Sequence, residues 1–570
     1  MDDELRDRVE QAARKHALFN ALKHGGSADV GAVMGPLMGE HPEFRPHGDE
    51  IPGIVAGVVA SVNELDADQQ RDRLAELEPA LLEEFDAPDA DDEEPLPELP
   101  NADTVEQVRM RLAPNPNAPY HLGHARMPAV IGSYKERYDG WMLCRFDDTD
   151  PETKRPQLGA YDAILDDIEY LGFTPDEVII ASDRLEIYYE HARALIDEAG
   201  AYTCACPAET FSQLKAEGTA CPHREKPIET VREEFDRMVD GDVAAGELVL
   251  RVRTDLEQPN PALRDWVAFR IVETPHPREV AQGYRCWPML DFQSAIDDHL
   301  TEVTHIIRGI DLQDSARRQQ YIYARFDWTY PEVIHWGHVE VDEYDIPLSA
   351  SKITALIEAD ELDGWDDPRA PTIASLRRRG IQGAAITDAM VELGTSTSNV
   401  ELAMSWIYSR NRELIDESAD RFFLVLDPVA FNLVDPPDAG SPPVHPEFPE
   451  RGNRHLPTHD GVLIERDDQP ALDERVWLKG LGCVIRRGES LEMTDDDIDV
   501  VRDGSVPVIH WVPAADNHPV ELRRPEGNDA GIAEAGIADT DTGEVVQFER
   551  IGFARIDQQG SPTVAFFSHR

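Results

Sequence analysis

Apolar residues recur at helical spacing near the start of the chain. Leu5, Val9, Ala12, Ala13 and Leu18 share one face until Gly25 and Gly26 interrupt it, and further apolar runs cover residues 51–62 and 74–82. Nothing of catalytic type falls there, so 1–84 reads as a helical N-terminal domain. Residues 85–100 are acidic, contain proline and hold almost no apolar side chains, which predicts a linker. The period then changes. A strand-like run at 105–112, a Pro-rich loop, a helix-like stretch at 122–138 and a strand-like run at 141–146 open a parallel nucleotide-binding sheet over 101–200. Residues 201–286 interrupt the alternation. It resumes near Trp287 and runs through 306–308 to a hydrophobic strand at 332–341, so 287–357 forms its second half. Helical patterns punctuated by Pro368 and Pro371 fill 358–420. From Arg421 onward, short alternating strands such as 422–426, 476–478 and 506–512 lie between Pro, Gly and Asp, which predicts β-barrels over 421–570. The expected fold class is α/β followed by all-β.

A chain of 570 residues is long enough for several cores. No apolar run approaches the length of a membrane span and the first residues are unlike a secretory signal, so a cytoplasmic protein without a membrane partner is expected. The net charge of −58, from 54 basic and 112 acidic residues, would by itself point away from nucleic acid.

Two clusters carry chemistry. The segment from Arg111 to Arg126 is a Pro-stiffened loop that ends in His121 and His124 around Gly123. Placed between a strand and a helix start, it would offer backbone N–H groups and two imidazoles on one face to a phosphate. On the residues alone, a metal pair or two surface histidines remain alternatives. The second cluster, Cys204-x-Cys206 with Cys221-Pro-His223, supplies four zinc-type ligands in two short clips, the alternative being reduced thiols without a metal. Cys144, Cys286 and Cys483 stand alone and read as packing residues.

In context, the histidine segment resembles the HIGH signature of the class I aminoacyl-tRNA synthetases, in their glutamyl/glutaminyl branch. Arg145-Phe-Asp-Asp-Thr-Asp150, Ile307-Arg-Gly309, Ser349-Ala-Ser-Lys-Ile353, Trp365-Asp-Asp-Pro-Arg369 and Ile509-His-Trp-Val512 resemble further stretches of that branch and follow its order from about residue 100 to 570. The layout is most similar to the archaeal glutamyl type, with a β-barrel end. The resemblance implies a Rossmann-type catalytic domain, an inserted zinc-containing acceptor-binding domain at 201–286, a helical N-terminal domain and C-terminal anticodon-binding barrels. It implies ligation of L-glutamate to tRNA(Glu) through glutamyl-adenylate, with ATP and Mg2+; charging of tRNA(Gln) is left open, and no DNA partner is implied.

Residue by residue, it gives catalytic roles to His121, His124 and Lys352. ATP contacts fall on Pro114, His121, Gly123, His124, Ser351 and Lys352, with Ser349 departing from the first lysine of the family's mobile loop. Glutamate contacts fall on Arg111, Asn115, Asp147 and Arg308, with Leu290 standing where relatives carry tyrosine and Ser294 nearby to compensate. Arg308 is the residue that accompanies glutamate rather than glutamine, because a buried γ-carboxylate needs a charged partner. A structural zinc ion would sit on Cys204, Cys206, Cys221 and His223. Arginine clusters at Arg377, Arg378 and Arg379, at Arg486 and Arg487, and at Arg523 and Arg524 are the tRNA candidates, with surface ion pairing as their alternative.

The spread of acidic residues and scarcity of lysine are similar to proteins of salt-accumulating archaea, where molar salt screens repulsion from a polyanion. A glutaminyl enzyme, a shortened glutamyl-transferring tRNA-modification enzyme and a non-catalytic RNA-binding protein of the same architecture are the rivals. Arg308 speaks against the first, the residues beyond 417 against the second, and His121, His124 and Lys352 against the third.

Overall fold

The computed structural model describes residues 3–23, 28, 30–40, 51–63, 65, 67–77, 96–494, 498–502 and 504–570. The chain divides into two units, Met1–Pro95 and Leu96–Arg570.

In the first unit, helices Asp3–Lys23, Val30–Glu40, Ile51–Asn63 and Ala67–Leu77 bury Val9, Ala13, Leu18, Val55, Val59 and Leu74 against one another. The glycine pair at 25–26, the end of the 74–82 run and residues 85–95 of the expected linker lie outside the described residues. Its last part, 96–100, is not linker. Leu96 and Leu99 are buried in the core of the second unit, where Tyr134 donates to the Pro97 carbonyl at 2.8 Å and Arg137 to that of Leu96 at 2.7 Å.

The second unit opens with parallel strands Arg109–Leu112, Trp141–Phe146 and Glu177–Ile180. A second parallel pair, His305–Gly309 with Glu332–Trp336, abuts the first through Thr304, whose N–H reaches the Arg109 carbonyl at 2.9 Å. The first strand is shorter than its apolar pattern. The expected helix at 122–138 begins as a 3-10 turn, Leu122–His124, before Arg126–Arg137 continues as α-helix. Pro128 falls in its first turn, where no intrahelical N–H is needed. Gly132 is the point of closest packing on this helix: a Cβ there would stand 2.2 Å from Phe173.

The insertion forms an antiparallel four-stranded sheet of Ala201–Cys204, Val249–Val252, Val267–Ile271 and Cys286–Pro288. Trp287 therefore belongs to this sheet and not to the resumed parallel one. Its register is set by pairing with Arg270, a long-range fact that local apolar pattern does not carry. The predicted strand at 332–341 breaks at Gly337 into Glu332–Trp336 and Val339–Val341, and the latter pairs with Val400–Leu402 inside the segment read as wholly helical. Helices Ala350–Glu358, Ile373–Arg378, Gly383–Glu392 and Met404–Ile415 fill the rest of that segment.

Each of two seven-stranded sheets beyond residue 420 begins and ends on neighbouring stretches of chain. Arg421–Phe422 and Leu424–Val425 form the opposite edges of one, and Val508–Ile509 and Val512–Pro513 those of the other. The edges of each sheet thus lie on neighbouring residues, a barrel-like arrangement. The second is inserted in the sequence between the first strands of its neighbour and the remainder. The Ile509-His-Trp-Val512 motif is its closing corner, with Trp511 fully buried.

Candidate active site and metal centre

His121 has extended backbone, and the 3-10 turn after it returns His124 N–H to the His121 carbonyl at 2.9 Å. The two rings stack, with centroids 3.7 Å apart and planes 21° from parallel. Burial lowers His121 to about 4; burial and then the neighbouring His121 lower His124 to about 3. Both imidazoles are thus neutral at neutral pH, and the Nδ1 atom of each is buried without a hydrogen-bond partner. The backbone offers less than expected, because Leu122 N–H already donates to the Pro371 carbonyl at 2.8 Å.

A cleft of about 560 Å³ lies over this turn and is closed on its other side by His338, Val341, Tyr344 and Leu348. Gly123 is required there, since a Cβ would stand 3.1 Å from Leu348 and 3.2 Å from the His121 ring. Ser349 precedes the helix that carries Ser351 and Lys352, and Ser349 and Ser351 hydroxyls lie 3.2 Å apart. Lys352 is exposed and has no ion pair among the described residues, which suits a cation that must meet an arriving anion. Pro114 lies beyond the turn, where its carbonyl accepts from Asp147 N–H at 2.9 Å.

The sites read for glutamate converge on a buried ionic network. Arg111, on the first strand, reaches Asp298 Oδ1 with Nε at 3.3 Å, and Arg145 reaches the same oxygen with Nη1 at 2.6 Å. Arg145 Nε also donates to Asp147 at 2.6 Å, while Gln293 donates to Asp147 at 2.7 Å. Asn115 Nδ2 holds the Asp147 carbonyl at 2.8 Å, and its own Oδ1 is buried without a partner. Arg308 is 4% exposed and its Nε has no partner; Asp298 Oδ2 has none either. Burial alone would raise the Asp298 carboxyl, but Arg145, Arg111 and Arg308 hold it below its ordinary range. Burial also draws the Arg111 guanidinium down, against Asp298 and with help from Arg308 and Arg145. Three guanidiniums against Asp147 and Asp298 leave this buried cluster net cationic, with Arg308 Nε an unused donor that suits a carboxylate.

Ser294 accepts from Gln319, which in turn accepts from Tyr330 at 2.7 Å. Leu290 does not form a buried wall: it starts its helix at 40% exposure. Asp298, Arg145, Gln293 and Tyr330 escaped the sequence reading of the site. Arg145 opened a quoted motif without being given a role, whereas Asp298 is one acid among many.

In the insertion, Cys204 ends its strand and Cys206, Cys221 and His223 come to it, with one ligand atom from each lying within 4.8 Å of the others. Sulfurs around a tetrahedral zinc ion sit about 3.8 Å apart for Zn–S bonds of about 2.3 Å. Cys204 and Cys221 sulfurs are 3.8 Å apart, and Cys206 sulfur is 3.4 Å from His223 Nδ1. The donor set fits such an ion. Cys144, Cys286 and Cys483 are buried and apart from it.

The arginine clusters are mostly engaged. Arg378 bridges Asp366 and Asp557, Arg487 meets Glu492, Arg523 meets Glu521 and Arg524 meets Asp529. Arg486 donates to the Gly488 carbonyl, Arg377 lies over Tyr170, and Arg379 is buried. Surface pairing, the alternative reading, describes Arg487, Arg523 and Arg524, and among the described residues no helix is long and apolar enough to cross a membrane.

Residues 107–417 match the family described as tRNA synthetases class I (E and Q), catalytic domain, and residues 419–502 and 508–557 match its two anticodon-binding domain families. The chain is 62% identical to the glutamate-tRNA ligase of Haloarcula marismortui, covering all of both chains. It is also 62% identical to that of Natronomonas pharaonis over the whole of both, and 40% identical to that of Pyrococcus furiosus over 99% of this chain and all of the relative.

Proposed function

Because this chain belongs to the class I tRNA synthetases of the glutamyl and glutaminyl type, we propose that it ligates L-glutamate to tRNA(Glu) in two steps in the cytoplasm. The α-carboxylate of glutamate attacks the α-phosphorus of ATP; the bond to the β-phosphate oxygen breaks and pyrophosphate leaves. The terminal adenosine hydroxyl of the tRNA then attacks the carbonyl of glutamyl-adenylate and AMP departs. His121 and His124 donate from neutral rings to phosphate oxygens, and Lys352 meets charge on the leaving pyrophosphate. Arg111 and Arg308 pair with the γ-carboxylate, and Asp147 holds the α-ammonium. Magnesium supplies charge neutralisation to the triphosphate when ATP binds, and no carboxylate cluster among the described residues forms a separate cage for it.

Cys204, Cys206, Cys221 and His223 would hold Zn2+ in a structural role, since four protein ligands leave no open position. Metal analysis should find one zinc per chain, and none in a Cys206→Ser, Cys221→Ser double variant.

The observation that carries the reading is the buried Arg308 with an unpartnered Nε inside a net-cationic cluster. ATP–pyrophosphate exchange in the presence of tRNA, run separately with glutamate and glutamine, tests it. Glutamate should support exchange and transfer to tRNA(Glu). Exchange with glutamine alone, or with neither, would overturn it. A parallel arm with tRNA(Gln) reports whether that acceptor is charged as well.

A further inference from the structure

The loop from Val341 to Leu348 walls the cleft over His121 and His124, and three consecutive side chains tie it to Met404, Tyr408 and Arg379. Asp342 accepts from Met404 N–H at 2.7 Å, Glu343 faces the Tyr408 hydroxyl, and the Tyr344 hydroxyl accepts from Arg379 Nη1 at 3.3 Å. Arg379 is 2% exposed. Its Nε donates to the Phe567 carbonyl at 3.1 Å, and its Nη2 to the Ser568 carbonyl at 2.7 Å and the Tyr408 hydroxyl at 3.1 Å. The Ser568 hydroxyl donates back to the Arg379 carbonyl, and His569 stacks on Tyr408 and bonds Asn411 at 3.0 Å.

No carboxylate among the described residues lies within ion-pair distance of this guanidinium. A buried cation without a carboxylate is held only by neutral acceptors, and here the carbonyls come from the last residues of the chain. The same planar fork that needs them also touches the cleft wall. Leu348, four residues after Tyr344, packs toward Gly123 closely enough that a Cβ at Gly123 would meet it at 3.1 Å, so a small shift of this loop changes the opening.

We infer that Arg379 is a positioning residue for the nucleotide: through the Tyr344 hydroxyl it sets the wall of the cleft, and its own placement depends on the seating of residues 567–570. The inference rests on the reading of that cleft as the ATP site. A run of three arginines that looked like an RNA contact thus contains one whose work is internal.

The test measures KM for ATP and for glutamate by pyrophosphate exchange with tRNA(Glu) present, in the full chain and in Tyr344→Phe, Tyr408→Phe and Arg379→Lys. Tyr344→Phe removes one hydroxyl and should raise KM for ATP about fivefold, the worth of one net hydrogen bond, with KM for glutamate unchanged; the Arg379 donor left without that acceptor also lowers the unfolding temperature. Arg379→Lys should raise KM for ATP at least as much, and adding Tyr344→Phe to it should cause no further rise. Tyr408→Phe should give a smaller rise in the same parameter alone. Should Arg379→Lys fail to fold, the two hydroxyl deletions decide. An ATP KM within twofold of the parent in Tyr344→Phe, equal rises for both substrates, or full additivity with Arg379→Lys would overturn the inference. A parent protein inactive with ATP and glutamate would instead overturn the function proposed above.

Discussion

Arg111, Arg145 and Arg308 lie inside the catalytic portion at 5%, 0% and 4% exposure, while Arg487, Arg523 and Arg524 lie on the barrels, each within reach of a carboxylate of its own strand or hairpin. The barrel arginines are clustered in sequence, the inner ones are not. In a chain with 112 acidic residues an exposed guanidinium readily finds a partner, so clustering says little about ligands. Lack of a partner says more. Arg308 Nε, Asp298 Oδ2, Asn115 Oδ1 and the Nδ1 atoms of His121 and His124 are buried polar atoms left unpaired, and they fall in the ionic cluster and around the cleft proposed above for glutamate and ATP. Among the described residues, several buried side-chain atoms within 107–417 are left unpaired, others of them lying in the insertion at Arg251, Arg253 and Trp266, and none beyond residue 420 is.

The comparison breaks first at Arg308. Replacing it with cysteine removes the cation proposed to face the γ-carboxylate, and kcat/KM for glutamate should fall about 1,000-fold, near 4 kcal/mol, while KM for ATP stays within about twofold. Equal losses for the two substrates would make Arg308 a scaffold residue. Asp298→Asn tests the other half of the network. It leaves Arg111 and Arg145 facing a neutral amide, and denaturant unfolding should show a loss of about 3 kcal/mol at neutral pH. Because the folded Asp298 carboxyl is held below its ordinary range, that stabilisation is present above the ordinary carboxylate pKa and is lost as pH falls through the lowered one. The gap between parent and variant should therefore narrow in acid.

How much of this was readable beforehand follows the range of each interaction. His121, His124, Gly123, Arg111 and Arg308 stand in short local patterns, and the strand-loop-helix that carries the first four is a local event. Asp298 is invisible in an acid-rich chain until the fold brings it to two arginines from other strands. Trp287 looked like the resumption of the parallel sheet because its pairing with Arg270 is non-local. Leu290 was read as a glutamate contact standing where relatives carry tyrosine, and it starts its helix at 40% exposure. Barrel closure was equally hidden, since it depends on two-residue strands such as Arg421–Phe422 and Val512–Pro513. Arg379 differs from Arg377 and Arg378 only through the C-terminal residues that cover it.

The barrels carry a buried titratable group of their own, which sharpens the contrast with the cleft. His510 makes a 2.9 Å hydrogen bond to the Leu424 carbonyl and lies 3.3 Å from Arg550, so unlike His121 and His124 both its ring nitrogens are engaged. Burial and then Arg550 lower it to about 4. Below the ordinary histidine value the unfolded chain takes up a proton that the folded one refuses, so stability falls as pH drops toward 4. His510→Gln should reduce the loss between pH 7 and 5 by about 1–2 kcal/mol in equilibrium unfolding. An unchanged slope would mean that the ring is charged in the folded barrel.

The smallest effect belongs to Arg524. It is ion-paired to Asp529 at 2.7 Å near the surface, and Arg524→Ala should change unfolding free energy by no more than about 0.5 kcal/mol. Any share it has in tRNA binding is a phosphate contact in competition with that carboxylate. The variant should then weaken tRNA affinity about twofold at 0.1 M salt and by nothing measurable in molar salt, where the screening length is about 3 Å. A tenfold loss that persists in molar salt would show a barrel arginine recognising its ligand by hydrogen-bond geometry. Partner-free burial would then no longer separate the ligand-binding arginines of the catalytic portion from those of the barrels.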